Sequence, residues 1–148
     1  MTKFLLSVHV LAAIIAIGPV TVAASMFPAA TRRAADAPSD AHARAVLATL
    51  HRICRVYATV GVVVPVFGLA TAIGLGVLGD IWLIVSIGLT ALAAALLILF
   101  VLPGQNALVA APDGASAARL AMYTGMFNLL WATVTVLMIV RPGSTTGA

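Results

Sequence analysis

The side chains best able to ligate a metal or move a proton are few: three histidines, four aspartates, five methionines and one cysteine in 148 residues. His9 stands out because its neighbours, from Phe4 to Phe27, are almost all apolar. An ionisable group inside a membrane span is expensive and marks a functional site by default. A histidine within a helical bundle suggests a b-type haem ligand. The structural alternative is a neutral ring bonded to a hydroxyl or carbonyl across a helix contact. Met26, Met122 and Met126, with Cys54 nearby, offer soft ligands of the kind Cu(I) prefers. The same methionines also serve as ordinary fillers of apolar cores.

The elements that must carry these residues are set by composition. Hydrophobic residues make up 63% of the chain and charged residues 8%, against roughly 25% charged in ordinary soluble domains. Four apolar stretches follow one another: 4–27, 56–78, 81–102 and 120–140. Each reaches the roughly 20 residues that cross a ~30 Å hydrocarbon core as a helix. None contains Lys, Arg, Asp or Glu, and His9 is their only histidine. The fold expected is all-α, a bundle of four transmembrane helices, since lipid offers an unpaired backbone no partners. The first stretch exceeds a secretory signal core and is expected to be a retained helix.

The connections differ. Residues 28–39 read as a polar loop closed by Pro38, with Ser39 or Asp40 as a helix cap. Ala43, Val46, Leu47, Leu50, Ile53, Cys54 and Tyr57 then fall on one helical stripe, with His42, Arg44, Thr49, Arg52 and Arg55 mostly off it. This predicts a basic amphipathic helix leading into the second span. Gly79-Asp80 predicts a tight turn, 103–115 a loop, and the tail from Pro142 disorder. Gly68, Ala72 and Gly76 form a small-residue seam for close helix contact.

Orientation follows from the basic residues. Arg32, Arg33, Arg44, Arg52, Arg55 and Arg119 adjoin the first and third loops, whereas the opposite side holds Lys3 and Arg141. The positive-inside rule then puts both termini on the non-cytoplasmic side of the cell membrane. Arg32, Arg33, Arg44, Arg52 and Arg55, with His51 on the Arg44 and Arg55 face, are placed to meet anionic lipid headgroups. No base-reading motif accompanies them, which argues against nucleic acid as a partner.

Depth along the helices gives His9 its expected company. It lies about 8 Å below the outer surface, level with Thr71, Ser86 and Thr135, which together would make one polar layer. His51 would sit more than about 25 Å away along the normal, and His42 farther still, so neither shares an iron with His9. A haem would need His9 alone, a second ligand such as Met138, or a neighbouring chain. Asn128, near mid-membrane, is expected to bond a neighbouring helix. Phosphate-binding glycine loops, His-Glu-x-x-His and Ser/His/Asp sets are missing, as are acidic residues within the spans.

Lys3, His9, Gly18-Pro19, Pro28 and Arg32-Arg33, with Asn128 and the closing Ile139-Val140-Arg141-Pro142, carry a resemblance. Together they resemble a superfamily of small membrane proteins that includes copper-resistance D proteins and HemJ-type protoporphyrinogen oxidases. The chain looks most like a related integral membrane family of unknown function. In the oxidase branch the resemblance implies a haem-associated histidine, matched by His9, and a third-helix lysine. The third span here has Ser86 near that place and no lysine. Two functions are expected from all of this: a non-catalytic subunit of a membrane complex or homo-oligomer, or a haem-associated redox protein using His9.

Overall fold

In the computed structural model, which describes residues 1–143, four long helical rods pack side by side. The first is α1 (Thr2–Asp36). The second joins α2 (Ala41–Val60) to α3 (Val63–Leu75). The third runs through α4 (Ile81–Leu96), a π-helical turn at Leu97–Val101 and α5 (Leu102–Ala110). The fourth is α6 (Gly114–Val140). All four are long and apolar enough to cross a membrane. Only 11% of the most apolar stretch of the first rod is buried within the protein. Residues such as Ile14, Ile81, Leu129 and Ile139 face outward instead, where only hydrocarbon can cover them without loss.

The rods exceed the expected spans at one end. At 1.5 Å per residue, α1 is about 52 Å long, so roughly 20 Å of it lies beyond a ~30 Å hydrocarbon core. The expected loop from Pro28 is helical as far as Asp36, with Pro28 inside the helix and buried. The residues after Pro28 are mostly alanine and arginine, good helix formers, and Ala30, Thr31 and Ala34 bury their faces. Of the loop expected at 103–115, the third rod continues as helix to Ala110, and only residues 111–113 form the connection. Pro103 lacks an N–H and would press its ring on the carbonyl four residues back. The wider π-helical turn directly before it absorbs that misfit.

The amphipathic helix forms as expected and packs along α1 rather than lying apart. Leu47, Leu50 and Cys54 are buried in the main core with Val20, Phe27, Leu97, Val101, Leu108, Leu120 and Phe127. Arg44, Arg52 and Arg55 are exposed, as are Arg32 and Arg33 on α1. His51 leaves that face and is buried. Asp40 caps α2 by accepting from the N–H groups of His42 and Ala43.

At the opposite end, where both termini lie, Trp82 closes the bundle. Its indole N–H donates to Asp80 at 2.9 Å. The Arg141 guanidinium stands 5.6 Å from its ring centre, close enough for a cation–π contact. Arg141 ends α6 in the left-handed region, φ 45°. Pro142 and Gly143 form a turn, and the rest of the tail lies outside the described residues.

Asp113 caps α6, accepting from the N–H groups of Ala115 and Ser116 at 3.2 and 2.8 Å. The Ser116 hydroxyl, followed by those two backbone donors, holds its carboxyl below the ordinary carboxylate value. The cap is therefore in place above about pH 4 and is lost as pH falls through the lowered folded value. In detergent, the difference in melting temperature between the native chain and Asp113→Ala should be constant from pH 7 to 5 and shrink below about pH 4. A difference unchanged at pH 3 would refute the assignment.

Candidate functional site

His9 occupies a crossing between α1 and α3. Its Nδ1 lies 2.9 Å from the Val64 carbonyl oxygen, which can only accept, so Nδ1 is the donor. Gly68 makes the approach possible. A methyl placed there would stand 2.8 Å from the ring's Cε1 and 3.1 Å from Nδ1. The seam expected at Gly68, Ala72 and Gly76 is thus used inside the protein. Gly68 receives the imidazole, Ala72 is buried with Trp82, and Gly76 turns the chain with φ 70°.

The hydroxyls expected beside His9 bond elsewhere. Thr71, Ser86 and Thr135 donate to Phe67, Trp82 and Trp131 carbonyls, each four residues back on its own helix. Thr135 is exposed, whereas Thr71 and Ser86 are buried. The His9 ring is held against Gly68, and His9 lines neither of the two cavities described below. Met138 packs on the Ala72 and Trp82 cluster. Met26, Met122 and Met126 are each about half exposed, at 54%, 55% and 45%, and point outward rather than toward a common centre. No group of three His, Cys, Asp or Glu residues able to hold a metal occurs among the described residues.

A buried polar relay lies at the arginine-bearing end. Gln105, fully buried, bridges α5 to α2. Its Oε1 is 3.1 Å from His51 Nδ1 and its Nε2 donates to Cys54 Sγ at 3.4 Å. With the amide nitrogen facing sulfur, Oε1 must accept, which again places the imidazole proton on Nδ1. Cys54 is 0% exposed, and no base reaches its sulfur, so it is an inert core thiol. Sequence reasoning missed Gln105 because its segment read as a loop. The signal available was its helical spacing from Val101 and Leu108, both buried.

Two cavities lie along the bundle. One of about 140 Å³ lies between the Gly61-Val62 break in the second rod and the π-helical turn in the third, against Tyr57, Leu97, Phe127 and Trp131. It is small beside the roughly 300–1,000 Å³ of most small-molecule sites, although the buried Trp131 indole N–H has no partner there. The other, about 160 Å³, is a notch between α1 and α6 lined by Ser25, Pro28, Ala121, Thr124, Gly125 and Asn128. Asn128 donates to Ser25 Oγ at 3.1 Å, the bond to a neighbouring helix expected of it. Its Oδ1 and the Thr124 hydroxyl are buried without partners. Compared with protein-family models, curated proteins and solved structures, the chain matches none.

Two substitutions check the buried contacts by melting in detergent. Gly68→Ala should cost about 1 kcal/mol or more by dislodging the His9 bond, and should cost little once His9→Ala has removed the ring. Equal losses in both backgrounds would contradict the contact. Gln105→Leu strands the His51 donor and should cost about 1–3 kcal/mol. The double variant His51→Leu/Gln105→Leu should recover part of that loss. If the two single losses simply add, the pair is not coupled.

Proposed function

We propose that this small polytopic membrane protein acts as a non-catalytic subunit, packing against other membrane helices. The observation that carries the reading is the notch between α1 and α6. It is a gap on the outer flank, and the Thr124 hydroxyl and Asn128 Oδ1 are buried beside it without partners. Satisfying them takes a polar group from a partner helix that enters the gap, which acyl chains cannot supply. Small residues on both sides, Ser25, Ala121 and Gly125, leave room for a backbone to come close. The half-buried His9 and the buried His51 fit the same reading, because each is held by a structural hydrogen bond.

Both termini then face away from the cytoplasm, and the projecting ends of the rods stand on the cytoplasmic side. There Arg32, Arg33, Arg44, Arg52 and Arg55, all exposed, meet anionic headgroups, each near-surface charge worth about 1 kcal/mol. Haem association through His9 is the competing function, since its Nδ1 is bonded to a carbonyl and Nε2 is the ring atom left to meet iron.

Extraction in mild detergent followed by native mass measurement distinguishes them. The expected result is a colourless particle containing more protein than one 15.1 kDa chain. A lone chain that carries stoichiometric haem, lost in His9→Ala, would replace this reading with the other.

A further inference from the structure

The four rods do not close evenly into a ring. α1 packs against both parts of the second rod and against α6, and α6 packs against α4. The second and third rods meet chiefly where α2 lies on α5. A smaller contact joins them at the terminal end, where Ala72 is buried with Trp82 and Leu83. Between those two places they stand apart, and the gap is the cavity of about 140 Å³.

Both backbones are irregular beside it. Pro65 has no N–H to offer the Gly61 carbonyl, which accepts from Val64 at 3.1 Å as the rod breaks at Gly61-Val62. The third rod faces that break with its π-helical turn. Ala58, Val62, Ala94, Leu97 and Ile98 form much of the two walls, and Thr90 spends its hydroxyl on the Ser86 carbonyl. Val62 and Ile98 line the cavity yet are 62% and 59% exposed. The cleft therefore opens sideways, into the hydrocarbon around the bundle. An apolar cavity of this size stays dry and takes up apolar molecules.

Arg55 stands over this opening. Arg55, Ala58 and Val62 follow at three- and four-residue spacing and share one stripe of the second rod. Arg55 is exposed, about 10 Å along the rod from Val62. It immediately precedes the apolar stretch that begins at Val56, which sets its guanidinium at the level of the headgroups. α2 contains no acidic residue to pair with it.

We infer that the cleft and Arg55 together form a binding site for one anionic phospholipid. One acyl chain enters between Val62 and Ile98, and the phosphate meets the Arg55 guanidinium. The inference rests on the headgroup reading above and narrows it to one arginine and one groove. Two features select this occupant. The cleft holds only a segment of a chain, so its ligand must keep the remainder in hydrocarbon, as a phospholipid does. A guanidinium above the mouth favours a lipid whose phosphate is not cancelled by a cation of its own.

Native mass spectrometry of purified protein, stripped of lipid and given equal phosphatidylglycerol and phosphatidylcholine, tests this. The native chain should retain phosphatidylglycerol about fivefold better, the effect of one near-surface charge. Arg55→Gln should make retention of the two about equal. Arg33→Gln, on the projecting part of α1, should leave the preference unchanged. Ala94→Leu fills the cleft from an exposed position and should lower retention of both lipids several-fold. Ile98→Trp narrows the mouth and should do the same, so the test survives a folding defect in either variant.

Retention unaffected by Ala94→Leu and Ile98→Trp would overturn the inference. If Arg33→Gln and Arg55→Gln erode the preference equally, the site falls and the broader attraction of the basic end for anionic headgroups stands. If the native chain shows no preference, both fall. The number of chains per particle, read from the same spectra, judges the subunit proposal separately.

Discussion

Lipid gives an amide nothing to bond with, and that single deficit organises the protein. Each unpaired backbone group in hydrocarbon would cost several kcal/mol, so the chain stays helical even where its sequence argues against it. Pro19 and Pro28 lie inside α1. Pro65 follows a short break, where the Gly61 carbonyl accepts from Val64 instead. Pro103 follows a π-helical turn. The hydroxyls obey the same demand. Thr31, Thr71, Ser86, Thr90, Thr133 and Thr135 all donate to a carbonyl four residues back on their own helix. His9 reaches further, to a carbonyl on another helix.

The same constraint divides the molecule along its length. No residue of α1 before Ala16 is buried by the protein, and that part of the helix depends on lipid for cover. Toward the arginine-bearing end the rods close around Phe27, Leu47, Leu50, Cys54, Leu108 and Phe127. There the protein supplies its own interior, and buried polar groups such as Gln105 and His51 have to be matched to one another. The terminal end is held by fewer means: the His9 crossing and the Asp80, Trp82 and Arg141 cluster.

Much of this was legible in the sequence because apolar length and helical spacing are direct consequences of the bilayer. The four rods and the stripe from Ala43 to Tyr57 follow from that, and Asp40 is one of the two caps, with Ser39, that the sequence left open. Boundaries were harder. Pro28 and Pro103 read as helix ends, since a proline's local effect is visible in sequence and the packing that overrides it is not. Depth placed Thr71, Ser86 and Thr135 level with His9, but it carries no information about rotation, and each hydroxyl bonds along its own helix. His51 looked like part of a basic face because its partner, Gln105, lay in a segment without apparent structure. Asn128 was recognisable as a polar group needing a neighbour, although Ser25 could not be singled out.

The central claim is that lipid, and not water, covers the outward faces of the four rods. Nitroxide labels on purified protein in bilayers measure this directly, at Ile14, Val66, Ile84 and Leu129, all strongly exposed by the protein itself, and at Ser39 and Asp113 in the connections. The first four should be relaxed by dissolved oxygen and shielded from a water-soluble relaxant, and the last two should show the reverse. Ready access of the water-soluble reagent to any of the four would mean that the rod bearing it does not cross the membrane.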